Sequence, residues 1–172
     1  MSPSLSPSGS SSFSPSVSPS LSPSVSPSIS PSPSPGWTDY TRDDLSSLPL
    51  DDADLITGYS AQDILDVASN DVAWVSQTTT QYAVHQFKNY VTGSSNINLE
   101  AKCRSSLAPG SSIVKLQIYN RTTTTWVDVD SNNAAAAGDS FILSGNITPV
   151  NLNANYMNGS GVISCRIWQL YQ

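Results

Sequence analysis

From Ser2 to Ser34 every even-numbered residue is serine, and nearly every odd one is proline or apolar. The alternation resolves into a repeated Ser-Pro-Ser-X unit whose X positions are Leu5, Gly9, Phe13, Val17, Leu21, Val25, Ile29 and Pro33. Ser11 alone stands where a proline is due. Proline removes an amide hydrogen and fixes φ near the extended region, so prolines at this spacing rule out an α-helix and leave β or polyproline II backbone. Three residues per turn would scatter the X positions around the axis. A two-residue pleat instead gathers them with the prolines on one face and puts all the serines on the other. The serine amides then form an intact hydrogen-bonding edge, while the opposite edge loses its proline donors.

A single extended ribbon has no second layer against which to bury an apolar face. Further copies supply one, with Leu5, Phe13, Val17, Leu21, Val25 and Ile29 as the assembly seam. At about 3.3 Å per residue, the segment 1–36 makes a stalk roughly 110 Å long. Its outward serines, spaced at about 7 Å, are candidates for O-glycosylation, among them Ser14, Ser16, Ser18, Ser20, Ser22, Ser24, Ser26 and Ser28. The competing reading is a flexible Ser/Pro-rich spacer, stiffened by proline and coated with sugar, in which no seam exists.

Beyond Gly36 the chain has room for one ordinary domain, with a core drawn from roughly its last hundred residues. Nine of the thirteen acidic residues fall between Asp39 and Asp71, and the net charge is −6. Without a basic cluster, nucleic acid is not an expected partner. No apolar run approaches the roughly 20 residues of a membrane-spanning helix, so no membrane insertion is expected either. A secretory signal is not recognisable after Met1, because serine interrupts every apolar stretch of the N-terminus. Either Met1 is a genuine start and the chain is expected to assemble inside a cell into a particle, or the chain is a mature form carrying an added methionine.

The segment 37–71 reads as an acidic neck. Within it, Ser60 to Asp63 has the form of a helix cap leading through Leu65 and Val67, while the alternation of Ile64, Asp66 and Ala68 fits a strand equally well. From residue 72 to 172 the signals are those of an all-β head. Strands are expected over Val72 to Ser76, Gln81 to Val91, Ile97 to Cys103, Ser112 to Asn120, Thr125 to Asp130, Ser140 to Asn146 and Val162 to Tyr171. Turn-forming runs separate them, such as Thr92 to Ser94, Ala108 to Gly110 and Asn158 to Ser160. Short antiparallel strands at this density predict a β-sandwich. Cys103 and Cys165 sit in phase with apolar neighbours, as buried free thiols or as a bridge between packed strands.

The run from Ile113 to Asn120, followed by Thr125 to Asp130, resembles the strand, turn and Trp-bearing return strand of jelly-roll modules. Such modules occur in carbohydrate-binding domains and in phage and bacterial surface proteins. Joined to the repeat, the chain more broadly resembles a fibre protein with a stalk and a β-rich head.

Catalytic equipment is sparse. His85 is the single histidine and Glu100 the single glutamate, so no triad, zinc set or nucleophile elbow is legible and no cofactor is implied. Asp128, Asp130, Asn132, Asn133 and Asp139 approximate a calcium loop but lack its central glycine and final glutamate, and read as a polar hairpin. Sugar recognition needs aromatic faces flanked by amides; Tyr119, Trp126 and Tyr156, with Asn120 and Asn132, are the candidates. Sequons begin at Asn120, Asn146 and Asn158. The resulting expectation is a non-enzymatic structural protein of an extracellular or virion appendage. Its partners are further copies of itself, and capsid, tail or cell-surface glycan. The alternative is a secreted carbohydrate-binding module on a glycosylated spacer.

Overall fold

The structure is a computed structural model that describes residues 39–68 and 74–171. The repeat, with its seam (Leu5, Phe13, Val17, Leu21, Val25, Ile29) and its serines, lies outside the described residues, as do residues 72 and 73 of the first expected strand. Residues 74–76 of that strand are irregular.

The described chain is mostly β, and every strand pairing is antiparallel. In chain order the elements are β1 (Asp39–Leu45), β2 (Thr57–Gly58), the helix α1 (Ala61–Ala68), β3 (Tyr82–Tyr90), β4 (Ile97–Arg104), β5 (Val114–Asn120), β6 (Thr125–Asn132) and β7 (Ser140–Ile147). A one-turn helix α2 (Pro149–Asn151) then widens into a π-helical turn over Leu152–Tyr156, and β8 (Val162–Leu170) follows. Six strands form one sheet in the order β2-β1-β3-β8-β5-β6; β4 and β7 form a second.

Side-chain alternation explains where the core sits. On β8, Ile163, Cys165 and Ile167 face one way and Ser164, Arg166 and Trp168 the other. The first set joins Val114, Leu116 and Ile118 of β5, and the smaller sheet adds Leu99 and Leu143, with Leu152 of the π turn closing the cluster. Each such side chain contributes about 1.5–3 kcal/mol by leaving water.

Gly145 lets the two sheets approach at one side. A Cβ there would stand 2.2 Å from Val129 Cγ1 on β6, so any larger residue forces the valine to move. The neighbouring Ser144 amide donates to Asp130 Oδ2 of β6 at 2.8 Å. Thr124, at φ 53, closes the β5–β6 hairpin in the left-handed region, after Asn120 Oδ1 has accepted from the amides of Thr122 (2.9 Å) and Thr123 (3.0 Å).

Two stretches of the segment read as an acidic neck, residues 39–45 and 57–58, are strands of the large sheet. β1 pairs along its whole length with β3, from Asp39 opposite Lys88 to Leu45 opposite Tyr82. Its charged sequence has weak strand preference, and tertiary contacts override it. Asp44 accepts from Thr79 Oγ1, both the amide and hydroxyl of Thr80, and the Gln81 amide. These hydrogen bonds, led by that of Thr79, hold its carboxyl down at about 2. The open choice over residues 60–68 resolves as helix, started by a reciprocal cap: Ser60 Oγ accepts from the Asp63 amide at 3.1 Å, and Asp63 Oδ2 accepts from the Ser60 amide at 2.9 Å.

Candidate functional site

The outer face of the six-stranded sheet carries most of the polar and aromatic organisation. Gln117, centred on β5, is buried there. Its Oε1 accepts from Arg166 Nε at 2.7 Å and from Trp168 Nε1 at 2.9 Å, and its Nε2 donates to Asp128 Oδ1 at 2.6 Å. The other Asp128 oxygen accepts from Lys115 Nζ at 2.6 Å. Burial works to raise the Asp128 carboxyl, but the bonds from Lys115 and Gln117 and the charges of Lys115 and Arg166 outweigh it and hold it below the usual range. Arg166 is only 4% exposed, and burial brings its guanidinium down to about 10 against the pull of Asp128. That guanidinium stacks 4.2 Å from the centre of the Trp126 ring, a contact that desolvation strengthens.

Residues 48–55, between β1 and β2, cross this face as a strap held by its backbone carbonyls and its acids. Arg166 Nη1 donates to the Pro49 carbonyl at 2.8 Å and Trp126 Nε1 to that of Asp51 at 3.0 Å. Gln86 Nε2 donates to the carbonyls of Asp52 (3.2 Å) and Ala53 (2.8 Å). The Asp52 carboxylate accepts from Arg121 Nη2 at 2.9 Å and from Ser164 Oγ at 2.5 Å, and Asp54 pairs with Lys88 at 2.7 Å. A groove of about 260 Å³ remains beside the strap, lined by Leu48, Leu50, Gln117, Thr125, Trp126 and Arg166.

Of the residues expected to meet sugar, Tyr119 and Trp126 come together edge to face, with centroids 5.2 Å apart. Tyr119 is buried. Trp126 has Arg166 on its face and Tyr119 at its edge, so part of its ring is already occupied. Tyr156 packs against the core instead. Asn120 caps the hairpin, and Asn132 Oδ1 accepts from the amides of Ala134 (3.1 Å) and Ala135 (2.9 Å). Two acids of the calcium-like run are likewise engaged within the fold, Asp128 by Lys115 and Gln117 on the sheet's outer face and Asp130 of β6 by the Ser144 amide of β7. Among the described residues no three His, Cys, Asp or Glu side chains gather as metal ligands. A larger recess of about 500 Å³ lies between Tyr90, Thr92, Asn153, Met157, Asn158 and Ser160. Its amides are structural: Asn153 Nδ2 donates to the carbonyls of Gly93 and Pro149, and Asn158 Oδ1 accepts from the amides of Ser160 and Val162.

His85 faces α1's side of the sheet. Tyr59 Oη hydrogen-bonds to its Nδ1, with Tyr40 stacked on Tyr59 at 5.5 Å and Arg42 over the same ring at 5.5 Å. Burial first, then the charge of Arg42, brings the imidazole down to about 4. Burial pushes both free thiols, Cys103 and Cys165, up to about 12, which leaves them poor nucleophiles near neutral pH.

The sequence reading did not reach Arg166, Gln117 or the strap. Arg166 had a signal, the one charged residue of its strand, set between Cys165 and Ile167; Gln117 and the strap's carbonyl acceptors had none. No helix among the described residues is long and apolar enough to cross a membrane. No protein-family profile, curated protein or solved structure matches the chain.

Proposed function

We propose that the chain is a non-catalytic structural subunit of an external appendage, extracellular or on a virion, that self-assembles through its Ser-Pro-Ser-X repeat and displays a jelly-roll-like β-sandwich head. The phased apolar residues of the repeat carry the reading, because a spacer has no use for them. Leu99 and Leu143 of the small sheet, packed against the large one, support the sandwich. Support for a non-catalytic role comes from the head's chemistry: its single histidine is neutral and bonded to Tyr59, its thiols are held protonated, and its Asp128–Gln117–Arg166 network is satisfied internally.

The test is sizing by light scattering of the full chain against a variant in which Phe13, Val17, Leu21, Val25 and Ile29 are all serine. Wild type should run as an oligomer and the variant as a monomer; monomers in both would remove the seam. Capsid or tail components are the partners that fit a virion appendage. One observation favours a second reading, a secreted carbohydrate-binding module on a glycosylated spacer. The groove beside Trp126 sets an aromatic ring beside Thr124 and Thr125, the pairing of a ring face with hydroxyls that suits a pyranose. Binding to a cell-surface glycan that Trp126→Ala abolishes, in a chain whose native mass exceeds 18.2 kDa, would favour that reading.

A further inference from the structure

We propose that α1 is a contact between copies of this chain, its apolar stripe packing on the same stripe of a second copy. The inference rests on the reading of the repeat as a self-assembling stalk.

Three observations carry it. The first is an uncovered apolar stripe. Ala61, Ile64 and Leu65 follow the i, i+3, i+4 spacing of one helix face, and Leu65 is 62% exposed and Ile64 36%. Asp63, which pairs with Arg42 of β1, stands nearly opposite that stripe at 100° per residue, so the helix is tethered to its own domain by its other side.

The second is position. The Tyr59 amide donates to the Tyr40 carbonyl at 2.9 Å, continuing the β1–β2 ladder in which Thr41 faces Gly58. The ladder puts Ser60, the cap of α1, beside Asp39. The repeat ends at Gly36, only a few residues before Asp39. In copies joined through the repeat, the start of α1 therefore lies beside a residue that follows the join by only a few positions of the chain.

The third is charge. Copies with a net charge of −6 repel, yet on α1 the acids avoid the stripe. Asp63 is held by Arg42, and Asp66 accepts from Gln62 at 2.8 Å. A homotypic contact over Ile64 and Leu65 thus sets no carboxylates face to face, and Ile56, 90% exposed at the same sheet edge, extends the apolar surface available to it.

The experiment uses the full chain with a single cysteine added at Leu65, and separately at Ile142, an exposed apolar position on β7. Both native thiols are held protonated by burial, so mild oxidation reports the new cysteine. Leu65→Cys should give a disulfide-linked dimer on a non-reducing gel and Ile142→Cys should not. The double variant Ile64→Ser, Leu65→Ser should raise the concentration at which the oligomer half-dissociates by at least about tenfold, with an unchanged circular dichroism spectrum; tenfold corresponds to about 1.4 kcal/mol. An oligomeric wild type whose Leu65→Cys chain gives no cross-link, or whose double variant dissociates as wild type does, overturns the α1 contact and leaves the repeat reading standing. A wild type that stays monomeric at every concentration overturns both.

Discussion

Acid should weaken the head through His85 before any carboxylate contributes. The imidazole has an ordinary value of 6.5 and stands at about 4 in the fold, so between those values the unfolded chain takes up a proton that the folded chain refuses. A base whose value is depressed on folding contributes stability that is intact above its unfolded value and lost as pH falls toward its folded one. Integrating that uptake gives a loss of about 2.5 kcal/mol by about pH 4.5, equivalent to roughly 5–10 °C in melting temperature for a domain of this size. The cause is burial of the imidazole, which disfavours its charged form, and then the nearby charge of Arg42, which lies over the ring of Tyr59, whose hydroxyl hydrogen-bonds to Nδ1. The lowered carboxyls of Asp44, Asp63 and Asp128 act in a separate window, below their ordinary value of 3.8. The assay is urea unfolding followed by tryptophan fluorescence, from about pH 7.5 to about 4.5, for wild type and for His85→Gln, whose side-chain amide offers both a donor and an acceptor to Tyr59 Oη. The wild type should lose about 2.5 kcal/mol more than the variant across that range. Parallel curves would refute the reasoning, because they would mean that His85 titrates alike in the folded and unfolded chains.

Gly145→Ala should destabilise the head by about 1–3 kcal/mol through overpacking against Val129, and adding Val129→Ala should restore most of it; thermal melts of the single and double variants decide. Asp52→Ala removes the acceptor shared by Arg121 and Ser164 and should cost about 2–3 kcal/mol, with limited proteolysis cutting faster within residues 48–55 because the strap has lost its anchor.

The strands from Tyr82 onward were legible because their apolar residues alternate and their turns carry Gly, Asn and Pro. Ile163, Cys165 and Ile167 announced a buried face without tertiary knowledge. β1 was not legible, since Asp39, Arg42, Asp43 and Asp44 look like a solvated stretch until β3 is laid beside them and Thr79 to Gln81 cap Asp44. For α1 the cap pair Ser60 and Asp63 was visible, but the sequence does not show the contact of Asp63 with Arg42 of β1 that holds the helix to the sheet. Trp126 and Tyr119 were identified as aromatics of interest, but Arg166 on the Trp126 face and the burial of Tyr119 come from strand order, which alternation does not encode. The strap's function is carried by backbone carbonyls, for which composition gives no sign.

The position of β8 has a consequence for how the molecule is made. This strand, the last among the described elements, lies between β3 and β5, and Ser164 and Arg166 bond to Asp52 and Pro49 across sequence separations of 112 and 117 residues. During synthesis the β2-β1-β3 half and the β5-β6 half have no shared edge until the strand that joins them leaves the ribosome. At about 5–20 residues per second, the repeat is in solution for on the order of ten seconds before the head closes. If copies pair through the repeat as proposed, that pairing precedes folding of the domain they carry, because such long-range closure is slow in itself. A chain assembled in that order is committed to its partners first and to its final shape second.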